Sequence, residues 1–201
     1  KLLVFFYIDV DGVVSTFNSS SADLVLPAGT NTIKFARLYW GGRIDDDNSN
    51  YANRGTVSIR KAAGAYATVN AGVQIDQTLL TGDQYAYQAY QDVTAFVNTN
   101  GAGSYTVANV ATTTGSVGGG GNYGGWALVV VYENLTLPYS SVRVYDGFVR
   151  VENNATQAIQ LTGLNAPGTP VLASDAYMST MAWEGDGNLA ATAQNPAGDY
   201  I

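Results

Sequence analysis

Short runs of β-branched and aromatic residues recur along the whole 201-residue chain, and clusters of glycine, asparagine, aspartate and proline separate them. This spacing is typical of antiparallel strands joined by turns, and sandwiches of this size commonly fold as one unit. We therefore expect an all-β fold, an antiparallel β-sandwich or jelly roll, that forms a single domain over residues 1–201. One short helix is expected at Val93–Asn98, where Asp92 can cap the free amide groups. The expected strands are Leu2–Ile8, Ile33–Trp40, Thr56–Arg60, Ala65–Asn70, Gln84–Tyr90, Ser104–Ala111, Trp126–Tyr132, Val142–Val151, Thr156–Leu161 and Val171–Trp183.

Two of these strands carry stronger signals than the rest. Val142–Val151 alternates residue types on both sides of Asp146 and Gly147. An Asp-Gly pair in that setting predicts a tight hairpin, because both residues tolerate positive φ. Ala127–Val131 is continuously apolar, which is typical of a strand that is covered on both faces. We expect this second run in the centre of the sandwich.

Composition narrows the range of functions. The chain has 16 Asp+Glu against 9 Lys+Arg, a net charge of -7, so it would repel a phosphate backbone and nucleic acid is not an expected partner. It contains neither His nor Cys, which removes thiol chemistry, disulfides and every catalytic triad that needs an imidazole. No apolar run approaches the roughly 20 residues that a membrane-spanning helix needs. We expect a protein that is not an enzyme and has no transmembrane segment.

Glycosidases can work with two carboxylates and no His. The glutamates of this chain are Glu133, Glu152 and Glu184, and the sequence places no two of them across a cleft. Hydrolase activity is therefore the weakest of the alternatives.

Acidic turns and loops are candidates for calcium, which takes about 6–8 oxygen ligands. Gly12 permits a sharp turn after two alternate aspartates, and the three adjacent aspartates further along repel one another unless water or a cation neutralises them. The alternative is that the first turn uses its carboxylates as backbone caps and that the second run is a solvated loop. The candidate metal ligands are Asp9, Asp11, Asp23, Asp45, Asp46 and Asp47, and Glu184–Asn188 is a third acidic loop.

Four aromatic residues are candidates for ligand binding: Trp40, Tyr85, Tyr87 and Trp183. Aromatic faces pack well against the apolar faces of sugars. Alternating tyrosines on a strand also pack commonly against neighbouring strands. Sugar binding and cross-strand packing are therefore both open for these residues.

The start of the chain is strongly apolar. Leu2–Ile8 contains no charge, proline or glycine, and such a segment aggregates if it is left as a bare edge strand. One interpretation is an inner strand of the domain itself. The other is a strand that pairs with a neighbouring subunit in a filament. In that case Leu2, Val4, Phe6 and Ile8 would form an interface.

Seven segments, which together span most of the chain, follow one another in a distinctive order. They are Asp9–Gly12, Ser15–Leu24, Leu38–Gly42, Asp92–Thr94, Tyr105–Val110, Gly124–Glu133 and Val144–Phe148. In this order they resemble an extracellular β-sandwich module of Bacteroidota surface proteins, including type IX-secreted adhesins of the gliding-motility type. The resemblance implies export to the cell surface, an adhesive role, and a place within a longer multi-domain protein. It implies no catalytic residues.

These observations lead to one expected function and two alternatives. We expect a secreted, cell-surface adhesion or structural module, a fragment of a longer chain, that calcium in its acidic loops stabilises. Its partners would be other domains of the same chain, identical subunits, or a surface glycan or protein ligand. The first alternative is a subunit of an extracellular filament assembled by strand pairing. The second is a carbohydrate-binding module.

Overall fold

The computed structural model describes residues 5–78, 84–115, 122–151, 156–164 and 176–183. The chain divides into two compact units, Lys1–Leu137 and Pro138–Ile201. All strands and helices found in the described residues belong to the first unit. The expectation of a single domain over residues 1–201 stays a prediction.

The first unit is an antiparallel β-sandwich with one short α-helix, so the expected fold class is confirmed. A single turn of 3-10 helix, Tyr51–Asn53, follows the second strand. The elements are β1 (Ser19–Leu24), β2 (Thr32–Asp45), β3 (Thr56–Lys61), β4 (Ala67–Asn70), β5 (Val73–Thr78), β6 (Gln84–Asp92), α1 (Thr94–Asn100), β7 (Gly103–Ala108) and β8 (Gly124–Glu133).

The strands form two four-stranded sheets. The first has the order β1-β7-β3-β4 and the second the order β5-β6-β2-β8, with antiparallel pairing throughout both. The longest strand, β2, lies inside the second sheet, where Trp40 stands opposite Ala89 of β6 and Trp126 of β8. The central strands of both sheets were expected from the sequence, whereas the polar strands β1 and β5 were not.

The core fills the space between the two sheets. Every second residue of a strand points to the same face, and for β3 these inward residues are Val57 and Ile59, both buried. Large polar-tipped side chains in the core have hydrogen-bond partners, as buried aromatic groups need. The indole N–H of Trp40 donates to the Arg54 carbonyl at 2.9 Å, and the Tyr87 hydroxyl donates to the Ala111 carbonyl at 2.8 Å.

The helix forms where the sequence predicted it. The Asp92 carboxylate accepts a hydrogen bond from the Thr94 N–H at 2.9 Å, which is the expected cap at the start of α1. Val93 and Val97 are buried against the core, while Gly101 follows the helix with a positive φ of 64°. The N-cap residue Val93 and the helical residue Val97 therefore anchor α1 to the core.

The strand β8 contains the continuous apolar run Ala127–Val131, which was expected to be covered on both faces or central in the sandwich. In the second sheet β8 follows β2 at the end of the strand order. Its residues between Gly125 and Tyr132 are half-buried. Trp126, Leu128 and Val130 pack against the core. A continuous apolar run indicates contact on two faces, but it does not say how many strands lie beside it.

The second unit shows no helix or strand in its described residues, 138–151, 156–164 and 176–183. The strands expected at Val142–Val151 and Thr156–Leu161, and the hairpin at Asp146 and Gly147, are therefore wrong for this structure. Of the strand expected at Val171–Trp183, residues 171–175 lie outside the described residues and the remainder is not a strand. Three of the four valines of the expected hairpin, Val142, Val149 and Val151, are exposed, and a two-stranded hairpin without a buried face is only marginally stable.

Candidate functional site

The turn that follows the first apolar segment is built around Asp11. Its side chain is only 1% exposed, and an Nη of Arg60 lies 3.4 Å from Oδ2. The Tyr66 hydroxyl donates a hydrogen bond to the same oxygen. The other oxygen, Oδ1, accepts the Val13 N–H at 2.9 Å and the Thr16 hydroxyl at 3.2 Å. Both carboxylate oxygens are thus engaged by protein groups.

Strand alternation explains why Arg60 meets this carboxylate. Since Val57 and Ile59 of β3 point into the core, Arg60 points to the outer face of the first sheet. Its guanidinium lies 4.7 Å from the ring centroid of Tyr66. The turn around Asp11 is therefore fastened to the outer face of the first sheet.

The electrostatics of this cluster favour an ionised carboxylate. The hydrogen bond from Tyr66, followed by that from the Val13 N–H, lowers the pKa of Asp11 to about 2. Burial, together with the bond to this carboxylate, raises the pKa of Tyr66 well above its ordinary value. The hydrogen bonds from the Val13 N–H and the Thr16 hydroxyl match the alternative in which the turn uses its carboxylate as a cap, and calcium binding at Asp11 stays a prediction.

We expect replacement of Asp11 by Asn to destabilise the fold in a pH-dependent way. The pKa of Asp11 is about 2 when folded, against an ordinary value of 3.8. Its stabilising contribution is therefore fully present above pH 4 and is lost as the pH falls toward 2. Urea unfolding midpoints of the wild type and Asp11→Asn should differ at pH 7 and converge below pH 4. Asp23→Asn, on an exposed position of β1, is the control. A difference that stays constant down to pH 2.5 would contradict this role.

Ser19 links Asp9, the other aspartate of the turn, to the backbone of the two residues that follow it. Its hydroxyl donates to Oδ1 of Asp9 at 2.8 Å and accepts the N–H groups of Val10 and Asp11 at 2.9 and 3.1 Å. Ser19 is buried, whereas Asp9 is exposed. The third expected ligand of this turn, Asp23, stands opposite Ser104 in the pairing of β1 with β7.

The second acidic run lies at the end of β2. Asp45 is the last residue of the strand, and its Oδ1 lies 3.6 Å from an Nη of the buried Arg43. Asp46 and Asp47 are exposed. Over the described ranges of the chain, no group of three or more acidic side chains is arranged to hold a metal ion. Calcium binding stays a prediction, and a melting temperature that a chelator leaves unchanged would contradict it. The acidic loop Glu184–Asn188 lies outside the described residues.

The aromatic residues expected to bind a ligand lie in different environments. Trp40 and Tyr87 are fully buried in the core, so neither ring presents a face on which a sugar could stack, and the expected platform is not formed by them. Tyr85 is half-buried, with its ring centroid 5.5 Å from that of Tyr51. Trp183 is half-buried in the second unit. Sugar binding stays a prediction for Tyr85 and Trp183 alone.

An ion pair that the sequence analysis missed occupies one side of this tyrosine pair. Arg54 donates from Nε and Nη2 to the two carboxylate oxygens of Asp76, at 3.1 Å each. Its guanidinium also lies 3.9 Å from the ring centroid of Tyr51. Arg54 therefore covers a face of Tyr51 that a sugar would otherwise contact. No local pattern links these residues, because Asp76 belongs to β5, a strand that the sequence did not predict.

The described part of the apolar N-terminal segment is an extended stretch rather than a regular strand. We call residues 5–9 the strap. Phe5 and Gly115 exchange two backbone hydrogen bonds, of 3.0 and 2.8 Å, and Asp9 forms an isolated parallel bridge with Ser19. The expected strand Leu2–Ile8 is thus replaced, over its described residues, by two isolated bridges. A segment fastened at two separate points makes no continuous ladder.

Side chains of the strap alternate between the protein and the surface. The Tyr7 hydroxyl donates to the Thr112 carbonyl at 2.6 Å, and its ring centroid lies 5.3 Å from that of Phe17. Phe6 and Ile8 point the other way and are 75% and 67% exposed. Of the four residues expected at an interface, these two are therefore exposed. Leu2 and Val4 lie outside the described residues.

The first unit defines the class of protein as an all-β sandwich of two four-stranded antiparallel sheets with one short helix. Comparison of the chain with protein-family models, with curated proteins and with solved structures finds no match. Within the described residues, no helix is both long and apolar enough to cross a membrane.

Proposed function

We propose that this chain is a non-catalytic structural module of a cell-surface or extracellular assembly, and that identical copies associate through the strap. The observation that supports this most directly is the exposure of Phe6 and Ile8 on an extended segment. The apolar sequence that precedes them, Leu2-Leu3-Val4, extends the same chemistry to the start of the given chain.

Burial of large apolar side chains is the main favourable contribution to protein association. Extended apolar segments are also the elements that pair between chains by strand addition. In the strap the two properties coincide, because its inner side chain Tyr7 fixes it to the domain while Phe6 and Ile8 stay on the surface. The cell-surface location follows from the resemblance of the sequence to surface modules and is part of the proposal.

We expect the double substitution Phe6→Ser and Ile8→Ser to convert an associating protein into a monomer. Serine removes the apolar surface and leaves in place the backbone hydrogen bonds of Phe5 with Gly115 and those of the Ile8 carbonyl and the Val10 N–H with Ser19. Sedimentation velocity over a range of concentrations should show a mass that rises with concentration for the wild type and stays at the monomer mass for the variant.

The matched control removes an equally exposed apolar side chain elsewhere. Val25 lies just after β1 and is 82% exposed, so Val25→Ser should leave association unchanged. A wild-type chain that sediments as a monomer at every concentration would overturn the proposal. Equal loss of association in the control would show that general surface hydrophobicity, and not the strap, is responsible.

A further inference from the structure

Residues 10–18, which we call the connection, join the strap to β1. The groups that hold the strap lie outside the connection. They are the backbone of Gly115, the carbonyl of Thr112, and Ser19, whose N–H donates to the Ile8 carbonyl at 2.9 Å. None of these partners lies within the strap. A strap that arrives from another copy of the chain would meet the same donors and acceptors.

Such an exchange adds an interface at low cost. When identical copies swap an element, each contact that one copy loses is remade with the other, so only the connection must change. Nine residues in extended form span at most about 30 Å, which is enough to reach an adjacent copy. In the closed form the strap leaves Phe6 and Ile8 largely exposed, so two copies brought side by side gain apolar contact that a single copy does not have.

The connection has a defined point at which it must open. Its turn is closed by Asp11, which accepts from Val13 and Thr16 and contacts Arg60. Within this turn, Val14 is fully exposed. The last two residues of the connection, 17 and 18, are held separately by hydrogen bonds with residues 109 and 110. Opening the turn at Asp11 therefore frees residues 10–16 while the end of the connection stays in place, and short hinge loops favour exchange.

We propose that the strap of one copy docks onto Ser19, Thr112 and Gly115 of a second copy, in place of that copy's own strap. This rests on the proposed function and names the surface through which association takes place. When the exchange is reciprocal it gives a closed dimer, and when each strap passes to the next copy it gives an open chain of copies.

Two single-cysteine variants test the exchange, since the chain has no cysteine of its own. Asp9→Cys and Ser19→Cys place a thiol on each side of a contact in which the two side chains are 2.8 Å apart. The variants are mixed, oxidised mildly, and separated on a gel without reductant. A linked heterodimer forms efficiently only when the strap of one copy lies on Ser19 of another.

Asp9→Cys mixed with Ser21→Cys is the matched control. Ser21 is exposed whereas Ser19 is buried, so random collisions would favour the control pair. Docking at Ser19 instead raises the local concentration of the two thiols. We therefore expect about tenfold more heterodimer for the Asp9→Cys and Ser19→Cys pair, the 9–19 pair, than for the control pair. Asp11→Asn in both partners should increase this yield, because it opens the connection. Equal or lower yield for the 9–19 pair overturns the exchange.

The two proposals fail in different ways. If the wild type sediments as a monomer at every concentration, association itself is wrong. If the wild type associates but the 9–19 pair gives no more product than the control pair, only the docking surface is wrong. Because Ser19→Cys can perturb the fold, Phe5→Cys mixed with Thr114→Cys is a second pair, since the exposed Thr114 adjoins Gly115, which exchanges two backbone hydrogen bonds with Phe5. Circular dichroism checks that each variant is folded.

Discussion

Replacing Trp40 by Ala is expected to lower the free energy of unfolding by about 3–5 kcal/mol, the range for loss of a large aromatic side chain from a packed core. Trp40 is fully buried in β2, between β6 and β8. The substitution leaves a cavity between the two sheets and removes the donor to the Arg54 carbonyl. Urea unfolding followed by circular dichroism measures the change.

Tyr85→Ala is the informative comparison. Tyr85 belongs to β6, is half-buried and packs on Tyr51. Its replacement should therefore lower the free energy of unfolding clearly less than the replacement of Trp40. If the two variants lost similar stability, Trp40 would not be the centre of the core.

The comparison also separates two interpretations of the aromatic residues, because a protein that binds sugar through Tyr85 would lose binding in Tyr85→Ala while it kept most of its stability.

The central strands could be predicted because their sequence pattern is set by burial. Residues of β2, β3, β6 and β7 alternate or continue in apolar type wherever they face the core. The strands that were missed, β1 and β5, both stand at the ends of their sheets. Their sequences, SSSADL and VQIDQT, are mostly polar. β1 is fixed by pairing with β7, which is distant in sequence and so leaves no mark on the local pattern, whereas β5 pairs with β6, the next strand of the chain, and its own polar residues hide it.

The candidate sites were predictable to a smaller extent. Sequence pattern singled out Asp11 either as a calcium ligand, which stays a prediction, or as a carboxylate that caps the backbone of its turn. Of the groups that engage it, Arg60 belongs to β3 and Tyr66 immediately precedes β4, and only the pairing of distant strands brings them to the turn. Likewise, the apolar character of the strap was evident, whereas its two separate bridges depend on Gly115 and Ser19.

Gly42→Ala is the second substitution with a large expected effect, and it connects the core of the second sheet to the strap. Gly42 of β2 stands opposite Gly124 of β8. A Cβ on Gly42 would lie 2.5 Å from the Thr112 methyl carbon and 2.7 Å from the Tyr123 carbonyl oxygen. Since Thr112 is buried and Tyr123 presents backbone, neither can yield without a shift of the chain. We expect a loss of about 1–3 kcal/mol of stability, as for overpacked cores.

Thr112 also supplies the carbonyl that accepts the Tyr7 hydroxyl of the strap. A displaced Thr112 should therefore weaken the hold on the strap as well as the sheet. In Gly42→Ala, the backbone amide of Phe5 should exchange with deuterium faster than in the wild type, relative to amides of β3. Gly125→Ala is the control, because a Cβ there has no atom within 4 Å, and its stability should change by less than about 0.5 kcal/mol. If Gly42→Ala lost stability without faster exchange at Phe5, the paired glycines would support the sheet alone, and the strap would be held independently of them.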